Sequence, residues 1–180
     1  MTIDTTFREW AAIAPHTDFK MSEFTRPSYV GMKPTPEDLS HLSIGQLISL
    51  SELKDMDGSF YEVVCTCMDI DRTEVAAARA VDVVRFVGWV YGEVLKINKL
   101  FDRVRIKPTK REEKAGVKNL QFGLFGMLDW YAVRMRITNH DDVLNTPWMR
   151  IYKCMDIDNK KRLYEIRLQQ VIADEMKHNQ

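Results

Sequence analysis

The tract His140-Asp141-Asp142 holds the residue types best suited to chemistry in this chain. Helical metal-dependent phosphohydrolases use a His-Asp pair to bridge metal ions that activate water. Such a centre needs more imidazole nitrogen, and the upstream histidines are His16, in a proline-rich stretch, and His41, ahead of a capping sequence. Neither sits on a helix face that would aim it at the pair. Asp141 and Asp142 therefore read first as acids in a surface turn leading into a helix at Val143, where the helix dipole favours negative charge. A hydrolase built on His140 and Asp141 stays as the lesser alternative.

Two Asp-x-Asp units, starting at Asp69 and Asp156, suggest calcium. A calcium-binding helix-loop-helix needs an oxygen ligand at its fifth position, glycine at its sixth and a bidentate acid at its twelfth. From Asp156 these positions hold Lys160, Lys161 and Arg167; from Asp69 they hold Thr73, Glu74 and Ala80. The aspartates read as helix caps instead. Cys65 and Cys67 lack zinc-knuckle spacing and a nearby histidine, so they read as small buried hydrophobes. No phosphate-cradling glycine loop, nucleophile elbow or His-Glu-x-x-His occurs. The residues thus assign no catalytic, cofactor or metal position, and the chain reads as non-enzymatic.

Charge excludes a general cationic coat, because 26 basic residues balance 26 acidic ones in 180. The densest basic strip is Arg103, Arg105, Lys107, Lys110, Arg111 and Lys114, with Glu112 and Glu113 diluting it. Of these, Arg105, Lys107, Lys110, Arg111 and Lys114 are the candidate nucleic-acid contacts, and a small helical nucleic-acid-binding regulator is the second functional alternative. Three cysteines make no disulfide framework, and the first residues lack a signal-peptide core. Asp82, Arg85, Glu93 and Lys96 interrupt the most apolar stretch, so a soluble intracellular protein with no membrane partner is expected.

The elements that must position these residues are helical. Residues 1–34 read as an extended arm, broken by Pro15, Pro27 and Pro34 and carrying Phe7, Trp10, Phe19, Phe24 and Tyr29. Those five aromatics are the candidate partner contacts; the arm either wraps over the chain's own helices or docks on a neighbouring subunit. Residues 35–180 read as one helical domain in two halves joined by the polar loop 107–114. Thr35, followed by Pro36, Glu37 and Asp38, is expected to start a helix, and Ser43 with Gln46 is a capping box. Phe60, Val63, Val64, Cys67 and Met68 share one helical face. The longest helix is expected over 73–101, behind a cap at Asp71. A helix over 115–135 has almost no polar face and belongs inside a bundle or in an interface. Its Gly123 and Gly126 suggest a close helix crossing. Thr146-Pro147 starts a further helix, and residues 160–177 form the last. No clean strand alternation occurs, so the fold class is all-α, an irregular multi-helix bundle with a proline- and aromatic-containing arm.

The pentapeptide Cys67-Met68-Asp69-Ile70-Asp71 recurs as Cys154-Met155-Asp156-Ile157-Asp158. It reads as a helix–turn–helix joint used twice, with the second aspartate capping the next helix. Duplication and convergence on one joint both stay open.

The stretch from Ala115-Gly116-Val117 through Phe122-Gly123-Leu124-Phe125-Gly126 to Trp130-Tyr131-Ala132, then His140-Asp141-Asp142-Val143 and Pro147-Trp148-Met149-Arg150-Ile151-Tyr152, resembles small proteins encoded among the structural genes of tailed bacteriophages. Leu42-Ser43-Ile44-Gly45-Gln46-Leu47 does so too. The resemblance implies a virion or morphogenesis protein without catalysis: a head–tail connector or ring component, or a tail assembly chaperone. It implies other phage structural proteins and further copies of the chain as partners, with nucleic acid not required. The place implied is the host cytoplasm during assembly, or the virion.

Overall fold

In a computed structural model of the protein, residues 5–13, 25–53, 59–120 and 122–178 are described. These residues form a mostly α-helical fold, as the sequence pattern predicts, with one small two-stranded antiparallel ribbon. The chain divides into two compact units, Met1–Asn98 and Lys99–Gln180. The division lies neither at residue 35 nor at the polar loop 107–114. Residues 5–13 are built into the first unit, and part of the polar loop is itself a helix.

In the first unit, α1 (Phe7–Ile13) is followed by β1 (Tyr29–Val30) and β2 (Lys33–Pro34), then α2 (Ile44–Glu52), α3 (Ser59–Met68), α4 (Arg72–Ala77) and most of α5 (Ala80–Val104). The ribbon turns at Gly31, whose φ of 61° suits a residue without Cβ. The predicted capping box of α2 is present: Gln46 N–H donates to Ser43 Oγ at 3.1 Å, and Ser43 N–H donates to Gln46 Oε1 at 2.9 Å. The predicted face of α3 is buried at Phe60, Val63, Val64, Cys67 and Met68.

Two expectations change here. Thr35 starts no helix. Its N–H donates to Ser28 O at 3.0 Å and its hydroxyl to Pro27 O at 2.5 Å, so it closes the ribbon onto the residues just before β1 instead. The helix expected over 73–101 is broken at Ala78, which adopts an extended conformation. Phe7 N–H donates to Ala78 O at 2.8 Å and Ala80 N–H donates to Thr5 O at 2.9 Å. The incoming segment thereby occupies backbone groups that a continuous helix would use internally. The cap at Asp71 stands, accepting from Thr73 N–H and Glu74 N–H at 2.8 and 2.9 Å.

In the second unit, α6 (Lys110–Lys114) and a 3-10 turn (Val117–Asn119) lead to α7 (Gly123–Met135), α8 (His140–Leu144) and α9 (Trp148–His178). The helix predicted over 115–135 therefore starts only at Gly123, where φ is 55°. Gly126 does not mark a helix crossing. A Cβ there would lie 2.6 Å from Phe122 Cβ, so the glycine makes room for the phenylalanine four residues earlier. The core gathers Leu128, Tyr131, Val143, Trp148 and Ile151. Phe101, Trp148 and Tyr152 form an aromatic cluster, with Phe101 centroids 6.1 and 5.8 Å from the other two. The joint expected at 154–158 is absent, because α9 runs through it unbroken.

Candidate functional site

The second unit carries an apolar groove of about 510 Å³. Its lining includes Ile106, Phe122, Met127, Trp130 and Met155, with Arg105 and Asp158 supplying charge. One wall exists because Gly126 lets Phe122 fold back over the first turn of α7. Beside it, Arg134 Nη1 donates to both Asp158 carboxylate oxygens at 2.5 Å, and its guanidinium lies 5.7 Å from the Trp130 ring centroid. That combination orients the indole through charge-assisted hydrogen bonding and a cation–π contact. Phe122, which lines the groove, and Phe125 and Val133 of α7 are 68%, 61% and 72% exposed. Exposed aromatic and aliphatic side chains beside an apolar groove are candidates for protein contact. The nearly all-apolar sequence of α7 allowed either a bundle centre or an interface; Leu128, Tyr131 and Ala132 are buried, Met127 and Trp130 are half-buried along the groove, and Leu124, Phe125 and Val133 are exposed.

The tract His140-Asp141-Asp142 lies in α8. Asn139 caps this helix by accepting from Asp141 N–H at 3.0 Å, so the helix begins three residues before Val143. The His140 ring packs 4.9 Å from that of Phe125, and its Nε2 lies 3.6 Å from Asp129 Oδ1, too far for a hydrogen bond. Asp141 and Asp142 occupy the first turn. Among the described residues, no group of three or more His, Cys, Asp or Glu side chains could hold a metal ion. His16 lies outside the described residues, and His41 belongs to the first unit.

His41 shares an open cleft of about 450 Å³ with Cys65 and Cys67, a pairing that could in principle make a thiolate nucleophile. Its geometry argues otherwise. His41 Nε2 lies 3.1 Å from the Cys67 carbonyl oxygen, and burial pushes the Cys67 thiol up to about 12. Burial also raises the Cys65 pKa. A protonated thiol is a poor nucleophile.

The basic strip is split among short elements. Arg105 borders the apolar groove, Lys107 lies in the loop, and Lys110, Arg111 and Lys114 belong to α6. Thr109 and Glu112 form a capping box for α6, a feature the sequence reading missed although the Thr-x-x-Glu spacing signals it. Glu112 also pairs with Arg162 of α9. The Arg162 hydrogen bond, followed by those from Thr109, holds the Glu112 carboxyl down at about 2.

The candidate partner-contact aromatics separate. Phe7 is 1% exposed, with ring centroids 5.5 Å from Trp10, 5.6 Å from Phe60 and 5.0 Å from Tyr61. It is a core residue of its own unit. Trp10 is half-buried and packs edge-on against Phe60 at 5.7 Å. Tyr29 is exposed. Phe19 and Phe24 lie outside the described residues.

Among the described residues, no helix is long and apolar enough to cross a membrane. Comparison of the chain with known protein families, curated proteins and solved structures finds no match.

Proposed function

We propose that this chain is a non-enzymatic assembly protein that acts through protein–protein contacts, working as a tail assembly chaperone of a tailed phage. The observation that carries the reading is the apolar groove with exposed Phe122, Phe125 and Val133 around it. A groove of this size and composition takes an apolar side-chain cluster of a partner, with Arg105, Arg134 and Asp158 as polar elements nearby. The phage assignment draws on the resemblance of residues 115–152. Between the two roles that resemblance implies, the seating of Phe7 in its own core favours a chaperone over a connector that clasps its neighbour with this aromatic.

The test is affinity capture from cells assembling the particles, comparing wild type with the Phe122→Ser/Phe125→Ser double variant. Both phenylalanines are largely exposed, so the variant retains the helical fold. Structural proteins of a tailed virion are expected with wild type and at least about tenfold depleted with the variant. Capture of nucleic acid in a salt-sensitive manner with no virion protein would overturn the reading in favour of the regulator.

A further inference from the structure

We infer that the projecting part of α9 pairs antiparallel with the same helix of a second copy of this chain. From residue 163 to residue 178 every side chain of α9 is exposed except Ala173, which is intermediate. That length amounts to about 24 Å of helix. Five of the eight exposed large apolar side chains of α9 lie on one strip, while Leu163, Ile166 and Met176 lie off it. Ile157, Tyr164, Leu168 and Val171 are separated by seven, four and three residues, which places them in one seam, with Ile172 beside it. An isolated helix of this length is marginal in water, and a seam of this period is shaped for another helix.

Charge selects the occupant and its direction. Lys161 and Glu175 occupy the same seam at the next three- or four-residue steps, and Leu168 lies midway between them. Among the described residues, neither has a hydrogen-bond or ion-pair partner, whereas Lys160, Arg162 and Asp174 are paired with Asp156, Glu112 and Lys177. In a parallel pair each would face its own like charge. Reversing one helix about Leu168 brings Lys161 near Glu175 of the second copy at both ends while the apolar residues between them meet. The helix is complementary to its own reverse, so a second copy satisfies both the apolar seam and the two charges. This deepens the homo-oligomer part of the assembly reading and does not involve the groove on α7.

Sedimentation of the full chain over a concentration series tests it. Wild type is expected to form a dimer. Leu168→Asp should raise its dissociation constant at least about tenfold. Leu168 is exposed, and circular dichroism of the variant verifies that the monomer stays folded. Lys161→Glu and Glu175→Lys should each weaken the dimer, and the two together should restore it. A monomer at every concentration, a dimer indifferent to Leu168→Asp, or a double charge reversal that fails to restore pairing would overturn the inference. The Phe122→Ser/Phe125→Ser variant should dimerise like wild type, so failure of partner capture and failure of dimerisation are read separately.

Discussion

Cys67-Met68-Asp69-Ile70-Asp71 and Cys154-Met155-Asp156-Ile157-Asp158 have the same letters and different backbones. In the first unit the pentapeptide ends α3, Asp69 turns with φ of 51°, and Asp71 caps α4. In the second unit it continues through α9. Partners in space account for the difference. At the first copy, Lys33 Nζ donates to Asp69 O at 2.8 Å and His41 Nε2 lies 3.1 Å from Cys67 O, so carbonyls at the helix end are engaged. Thr73, two residues on, donates through its hydroxyl to the capping carboxylate at 2.5 Å. At the second copy, Lys160 reaches back to Asp156 at 2.7 Å and Arg134 holds Asp158. The i,i+4 pair favours continuation of the helix. Burial follows the same division: Cys67, Met68 and Ile70 are buried, while Cys154 and Met155 are half-buried and Ile157 is exposed.

Matched substitutions can break this comparison. The largest contrast is expected at the isoleucines. Ile70→Ala should destabilise the first unit by about 2–4 kcal/mol, through lost burial and a residual cavity. At concentrations where the chain is monomeric, Ile157→Ala should change the stability of the second unit by less than about 0.5 kcal/mol, as at other exposed sites. Urea unfolding with residue-resolved hydrogen exchange separates the two units; equal losses would mean that the copies do not differ in packing.

A smaller effect with opposite signs is expected from glycine. Asp69→Gly removes the strain of a side chain in the left-handed region and should stabilise by about 0.5 kcal/mol. Asp156→Gly lowers helix propensity and removes the Lys160 partner, so it should destabilise by about 0.5–1 kcal/mol. Thermal melts of the two variants give the signs directly.

Acid titration supplies a gentler probe. The Thr73 side-chain hydrogen bond, then the Glu74 backbone N–H, lowers the Asp71 pKa. In the second unit the Arg162 hydrogen bond does the same to Glu112, down to about 2. A depressed folded pKa gives stabilisation that is full above the unfolded value, roughly 3.9 for Asp and 4.3 for Glu, and lost as pH falls through the folded value. Glu112→Gln should therefore flatten the stability of the second unit between about pH 4.3 and pH 2, while Asp71→Asn should flatten only the first. A slope that survives Glu112→Gln would place the acid sensitivity elsewhere.

Much of the helical pattern was legible because it depends on neighbours in the chain. The Ser43/Gln46 box, the Asp71 cap and the buried face of α3 rest on contacts within one or two turns. The start of α8 at Asn139 and the α6 box at Thr109 were equally local and could have been read from capping residues. The groove was less accessible. The pattern marked α7 as unusually apolar, but not which half would stay outside; that depended on Tyr131 and Leu128 joining Val143 and Trp148 in a small core.

The sequence by itself determined the helical class and several caps, because hydrogen-bonding reach and side-chain period are short-range properties. Only the tertiary structure decided that α3 ends at its pentapeptide while α9 passes through the same letters. It also decided that Phe7 belongs to the core and that residues 5–7 interrupt the helix expected over 73–101. Each of these outcomes depends on a backbone group or apolar surface meeting a partner distant in sequence, such as Lys33 at Asp69 or Thr5 at Ala80, and local preference carries no information about that meeting.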